Sequence, residues 1–172
     1  MSEPEAVPES SRNRWEVLAR QAARDGEAGV AAVDLQRLLT FPLGGAAYAL
    51  PVERVREIVR IRPITPVPRV PEAVLGVISL RGEIVQVVDL RRRLGLEPLE
   101  PGRSSRVIVV HDGDGRVAGL LVDGVTDVIS VDEDAMRPAA GDARSVEALY
   151  ARGDEFVSLV DIERVLAIDA EQ

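Results

Sequence analysis

Cysteine is absent from the chain, and histidine occurs once, as His111. Without cysteine there is no disulfide framework, no thiolate metal site and no cysteine nucleophile. A serine triad would have to be built on His111, and no Gly-x-Ser-x-Gly elbow is present. Walker and Gly-x-Gly-x-x-Gly phosphate loops are missing too; Gly113-Asp114-Gly115 sits between two apolar runs and reads as a hairpin turn. Asp112-Gly-Asp-Gly lacks the further ligands and the closing Glu of an EF-hand loop. The many acidic residues fall in turns and caps, where carboxylates have local structural work. The expectation is a non-enzyme with no cofactor and no metal.

Aromatic residues make up only 3% of the chain, so the core must be built from Val, Leu, Ile and Ala, and stacking platforms for single-stranded nucleic acid are lacking. The formal net charge of −8 repels phosphate backbones, which excludes nucleic acid as an expected partner. No apolar run approaches the ~20 residues of a membrane helix. The N-terminus, Met-Ser-Glu-Pro-Glu, lacks the apolar core of a signal peptide. A cytoplasmic location without membrane insertion is expected.

Residues 1–35 read as an extension. Asn13 and Glu16 form a capping box for a helix at about 14–25, with Trp15, Leu18 and Ala22 on one face. That helix either docks on its own domain or binds a partner. A folded domain then spans 36–168, followed by a tail at 169–172. Leu39–Phe41 and Ala47–Leu50 flank Gly44-Gly45, a hairpin signal. The segment from Val52 to Arg60 fits both periodicities; one helical turn followed by a strand from Val55 places Val55 and Glu57 on one side. Four prolines between Pro63 and Pro71 forbid a helix or a central strand there.

The stretch from Gly76 to Leu90 holds two β-branched runs, Val77–Leu80 and Ile84–Val88, around Arg81-Gly82-Glu83. It reads as a hairpin with Gly82 in the turn and a cation at its tip. By pattern alone Arg81 is a solvated turn residue. Asp89 caps a short helix at Leu90–Leu94, and Arg91–Arg93 form a basic run that reads as its solvated face. Further strands are expected at Arg106–Val110, Val117–Val122 and Val125–Val131. A loop follows near Pro138–Asp142, then a hairpin around Arg152-Gly-Asp154 and a helix capped by Asp161. Short strands with turn signals indicate an all-β barrel-type domain with short helices. No strict sequence repeat is evident.

Gly76-Val-Ile-Ser-Leu-Arg81-Gly82, followed by Ile84-Val85 and Val87-Val88-Asp89-Leu90-Arg91, resembles the central signature of the CheW family of chemosensory adaptors. The likeness runs from about Leu38 to Leu166 and includes Val55-x-Glu57-Ile58, Gly119-Leu-Leu-Val-Asp123 and Leu159-Val-Asp-Ile-Glu163. It implies two SH3-like β-barrel subdomains sharing a core. The implied function is a non-catalytic scaffold coupling the cytoplasmic tip of chemoreceptors to the regulatory domain of a CheA-type histidine kinase. The implied binding residues are Val55, Glu57, Ile58, Gly76, Arg81 and Gly82. Ser79, Gln86 and Ala148 depart from the residues most frequent in the family. The alternative reading is a CheW-like oligomerisation module acting without a kinase.

Overall fold

The computed structural model describes residues 34–140 and 145–168. The expected helix at about 14–25 and the tail at 169–172 lie outside them. The first strands are β1 (Leu35–Leu43), β2 (Ala46–Pro51), β3 (Val55–Arg60), β4 (Val74–Leu80) and β5 (Glu83–Asp89). Helix α1 (Leu90–Arg93) follows, and then β6 (Arg106–His111), β7 (Val117–Val122) and β8 (Asp127–Asp132). The chain continues through β9 (Met136–Pro138), β10 (Val146–Arg152), β11 (Glu155–Val160) and α2 (Ile162–Leu166). The ambiguous segment resolves into a single 3-10 turn at Val52–Arg54 and then β3. Pro138, expected in a loop, instead ends the short strand β9, which pairs with β10.

Two sheets carry these strands, in the orders β8-β1-β2-β11-β10-β9 and β3-β6-β7-β5-β4. Their connectivity reveals a duplication that the sequence did not show. The β1–β2 hairpin corresponds to β6–β7, β3 to β8, β4–β5 to β10–β11, and α1 to α2. In each half the second hairpin strand pairs in parallel, β5 with β7 and β11 with β2. In each half an aspartate then caps the helix: Asp89 accepts from the Arg91 N–H at 3.1 Å, and Asp161 from the Arg164 N–H at 3.1 Å. The halves are exchanged. The first hairpin lies in the sheet of the second half, and β6–β7 in the sheet of the first half.

The exchange forces one shared core. Phe41, Leu43 and Leu50 from the first sheet meet Ile108, Val110 and Leu120 from the second, all at most 1% exposed, with Leu90 of α1 and Val165 of α2 between them. A smaller aliphatic cluster fills each sheet's own interior, around Val87 and Val107 in one and Leu38 and Val157 in the other. Both α-helices are too short to stand alone; their buried apolar residues hold them.

Arg91–Arg93 are not a solvated face. The Arg91 side chain is 12% exposed and forks onto Asp123, with Nε to Oδ1 at 2.8 Å and Nη2 to Oδ2 at 2.5 Å. Asp123 also accepts from the Gly44 N–H in the β1–β2 turn, so it ties α1 to a turn of the opposite sheet. Arg92 pairs with Glu72 and with Asp89. Arg93 Nε donates to the Val165 carbonyl at 3.1 Å, satisfying an acceptor at the end of α2. Three consecutive arginines can diverge in this way because the single helical turn spreads them by about 100° per residue.

Gly76 is fixed by geometry. It sits at φ +142° where β4 shifts register against β5, and a Cβ there would lie 2.1 Å from the Thr65 carbonyl oxygen. That carbonyl accepts from Val77 N–H, so the proline-rich connector is pinned along β4 at this one bridge.

Two predictions follow from this packing. Gly76→Ala should lower stability by more than about 2 kcal/mol, because backbone clash and positive φ act together; urea unfolding measures it. The second concerns acid. Arg91 holds the Asp123 carboxyl below the usual carboxylate range. A depressed folded pKa gives stability that is full above the unfolded value and is lost as pH falls through the folded one. Asp123→Asn should therefore cost about 1–3 kcal/mol at pH 7 and progressively less as pH falls below the ordinary carboxylate range, read from unfolding curves at pH 7 and at a series of acid pH values.

Candidate functional site

The β4–β5 hairpin turns in two residues, Arg81 and Gly82, at φ +52° and +82°. Glu83 belongs to β5, opposite Leu80, and not to the turn. Two positive φ values define the turn whose twist matches a hairpin, and Gly82 adopts its value freely. Arg81 does not: a residue with a Cβ in the left-handed region costs on the order of 1 kcal/mol. The fold holds it there because apolar burial of Ile78, Leu80, Val85 and Val87 sets the register on both sides.

Strand β3 lies at the far edge of the same sheet order, yet its side chains reach this hairpin. Arg81 Nη2 lies 3.1 Å from Glu57 Oε2, and Arg56 Nη1 lies 3.2 Å from Glu83 Oε2. Ion pairs between strands that are not hydrogen-bonded neighbours mean that the sheet curls back on itself. A groove of about 420 Å³ lies between them, with Leu80, Val85 and Val109 on its floor. A bulge opposite β6 admits Arg56 as the extra residue: Val55 faces Val110 and Glu57 faces Val109.

The residues expected to bind partners take three different places. Arg81, Gly82 and Glu57 come together at the hairpin tip, with the Arg81 side chain 82% exposed and that of Glu57 21%. Ile58, next to Glu57, is exposed on the outer side of β3. Val55 is half-buried against the shared core. Gly76 is buried near the start of β4, on the order of 15 Å along the strand from the tip. Sequence reasoning missed Arg56, Glu83 and Ile84. Ile84 is 76% exposed, and its signal was present: in Glu83–Val88, Val85 and Val87 alternate inward, which leaves Ile84 and Gln86 outside.

An exposed ion pair such as Arg81–Glu57 contributes little net stability, about 0–1 kcal/mol. Exchanging Glu57 for a carboxylate of a partner therefore costs little. The arrangement offers a forked cation on a rigid turn, a second charge pair, and exposed aliphatic side chains on both strands.

Nothing comparable surrounds His111. Its Nε2 lies 3.0 Å from the Glu53 carbonyl oxygen and its Nδ1 3.3 Å from that of Asp112. Among the described residues there is no group of three or more potential His, Cys, Asp or Glu metal ligands, and no helix long and apolar enough to cross a membrane.

Comparison with known proteins agrees with this architecture. The family model for the CheW-like domain matches residues 37–170. The chemotaxis protein CheW of Rhizobium meliloti is 36% identical over 135 residues, covering 76% of this chain and 86% of that protein. CheW of Klebsiella aerogenes is 35% identical over 137 residues, covering 77% and 82%. The crystal structure of the scaffolding protein TtCheW from Thermoanaerobacter tengcongensis aligns with a TM-score of 0.68 at 32% identity, over 73% of this chain and 84% of that one. Two curled sheets around a shared core, the Leu-Arg-Gly hairpin and this coverage lead to one conclusion: the chain belongs to the CheW family.

Proposed function

We propose that the chain is a non-catalytic scaffold that couples chemoreceptors to a CheA-type histidine kinase, binding the regulatory domain of the kinase and the cytoplasmic tip of the receptor. The observation that carries this reading is the hairpin tip. Arg81 is held at positive φ, is largely exposed, and has an exchangeable partner in Glu57. Local strain retained at an exposed position serves recognition better than it serves stability. Arginine suits the task because its planar fork engages a carboxylate with two donors, which lysine cannot do. Arg81, Glu57 and Ile58 form the contact face in this reading. Gly82, Gly76 and Val55 set the shape and position of the two strands that carry it.

Calorimetric titration into the regulatory domain of a CheA-type kinase from the same organism tests the proposal. Micromolar or tighter binding, unaffected by removal of residues 1–35, is expected; a folded chain that binds no such domain would sink it. Two substitutions separate recognition from folding. Arg81→Glu should weaken binding at least tenfold with unchanged stability. Arg81→Asn should also weaken binding, yet raise stability by about 0.5–1 kcal/mol, because Asn tolerates the left-handed turn position. Binding unchanged in both variants would remove Arg81 from the contact face.

A further inference from the structure

The Arg81 face carries an ion pair that closing its barrel does not require. Arg56 Nη1 lies 3.2 Å from Glu83 Oε2, and the two side chains are 50% and 60% exposed. A pair this exposed adds little net stability. The internal duplication supplies the control. Glu57 lies opposite Val109, which lies opposite Gly119; Asp127 lies opposite Thr40, which lies opposite Ala49. Asp127 therefore holds the place of Glu57, and Thr126 that of Arg56. Glu83 opens β5 after a two-residue turn, and Glu155 opens β11 after another. Thr126 has no charge to set against Glu155, and that barrel still closes, through Arg152 and Asp127.

The backbone also singles out Arg56. It is the extra residue of the β3 bulge, with no partner on β6, and a bulge re-aims the side chain it carries. That side chain turns to the rim of the groove over Leu80, Val85 and Val109. Four charges frame the rim. Arg81 pairs with Glu57 and Arg56 with Glu83, so cations and carboxylates alternate around it. Such a square carries no net charge and draws no partner by bulk attraction. It favours one order of opposing charges and repels the others, which is a basis for discrimination more than for affinity.

We propose that Arg56 and Glu83 are specificity-determining residues of this face. They select, among regulatory domains of CheA-type kinases, those whose docking edge sets a carboxylate against Arg56 and a cation against Glu83. Domains with the reverse order meet like charges at both corners and are turned away. Arg81 and the exposed Ile58 and Ile84 serve any domain of the class; the second pair decides which one stays. The inference rests on the kinase-domain reading of the Arg81 face.

The test exchanges the two charges in the full chain, Arg56→Glu with Glu83→Arg, and compares it with a neutral variant, Arg56→Gln with Glu83→Gln. Calorimetry measures binding to the regulatory domain of a CheA-type kinase from the same organism and to that of one from another organism. The exchange keeps an opposite pair across the groove, so circular dichroism should be unchanged. It should weaken binding to the first domain at least tenfold, and that loss should shrink as salt rises from about 0.05 to about 0.5 M, because rim charges are screened. The neutral variant should bind the first domain within about threefold of the parent chain and lose most of the preference for it over the second. Undiminished binding by the exchanged chain would overturn the proposal and leave the Arg81 face intact. So would a loss that salt does not relieve, which marks a change of shape, or a neutral variant that keeps the parent's full preference. No binding by the parent chain to either domain would overturn the kinase-domain reading itself, and this inference with it.

Discussion

Burial of one aliphatic layer between two exchanged sheets is the constraint on which the remainder of the molecule depends. Each sheet contains a hairpin from the other half of the sequence, so neither half can bury its own apolar residues alone. Leu90 and Val165, each at 0% exposure, close the layer from two short helices. Hydrophobic burial is non-directional, and it would tolerate many orientations of two sheets. Directional contacts select one. The fork of Arg91 on Asp123, the hydrogen bond from Gly44 to the same carboxylate, and the Arg93 bond to a carbonyl of α2 all run between elements that the core has already brought together.

The same economy governs the edges. Edge strands expose unpaired backbone groups and invite unwanted pairing. Here the edge strand β3 folds over onto the β4–β5 hairpin and is held by Arg81–Glu57 and Arg56–Glu83, while β8 is held to the β10–β11 hairpin by Arg152–Asp127. The Asp127 carboxyl sits below its ordinary range, first through the Thr40 hydroxyl and then through Arg152. Charges that close a barrel in this way are also charges displayed at its rim. The strained Arg81 turn illustrates the balance: core burial on both flanking strands fixes the register, and the tip accepts an unfavourable backbone with its side chain exposed.

Much of this was legible in the chain itself. The strands announced themselves as short Val- and Ile-rich runs between Gly, Pro and Asp, and both helix caps were readable at Asp89 and Asp161. The hairpin at Arg81-Gly82 and its family signature were equally plain, because turn chemistry and period-two burial are local properties. The Arg91–Arg93 run was misread for the converse reason. A basic run is solvated by default, and its acceptors at positions 123, 72 and 165 are ones that no local rule connects to it. The role of Gly76 was hidden similarly, since the backbone that approaches it comes from Thr65 across an irregular connector.

The sequence by itself determined the all-β class, the aliphatic core, the turn positions and the family, because these follow from composition, periodicity and short motifs. Only the tertiary structure decided that the halves exchange hairpins, that the arginine run fastens the two sheets together, and that Glu57 meets Arg81 as Asp127 meets Arg152. Those facts depend on which distant strands become neighbours, and long-range pairing is set by the collective burial of the whole core, not by any segment of it.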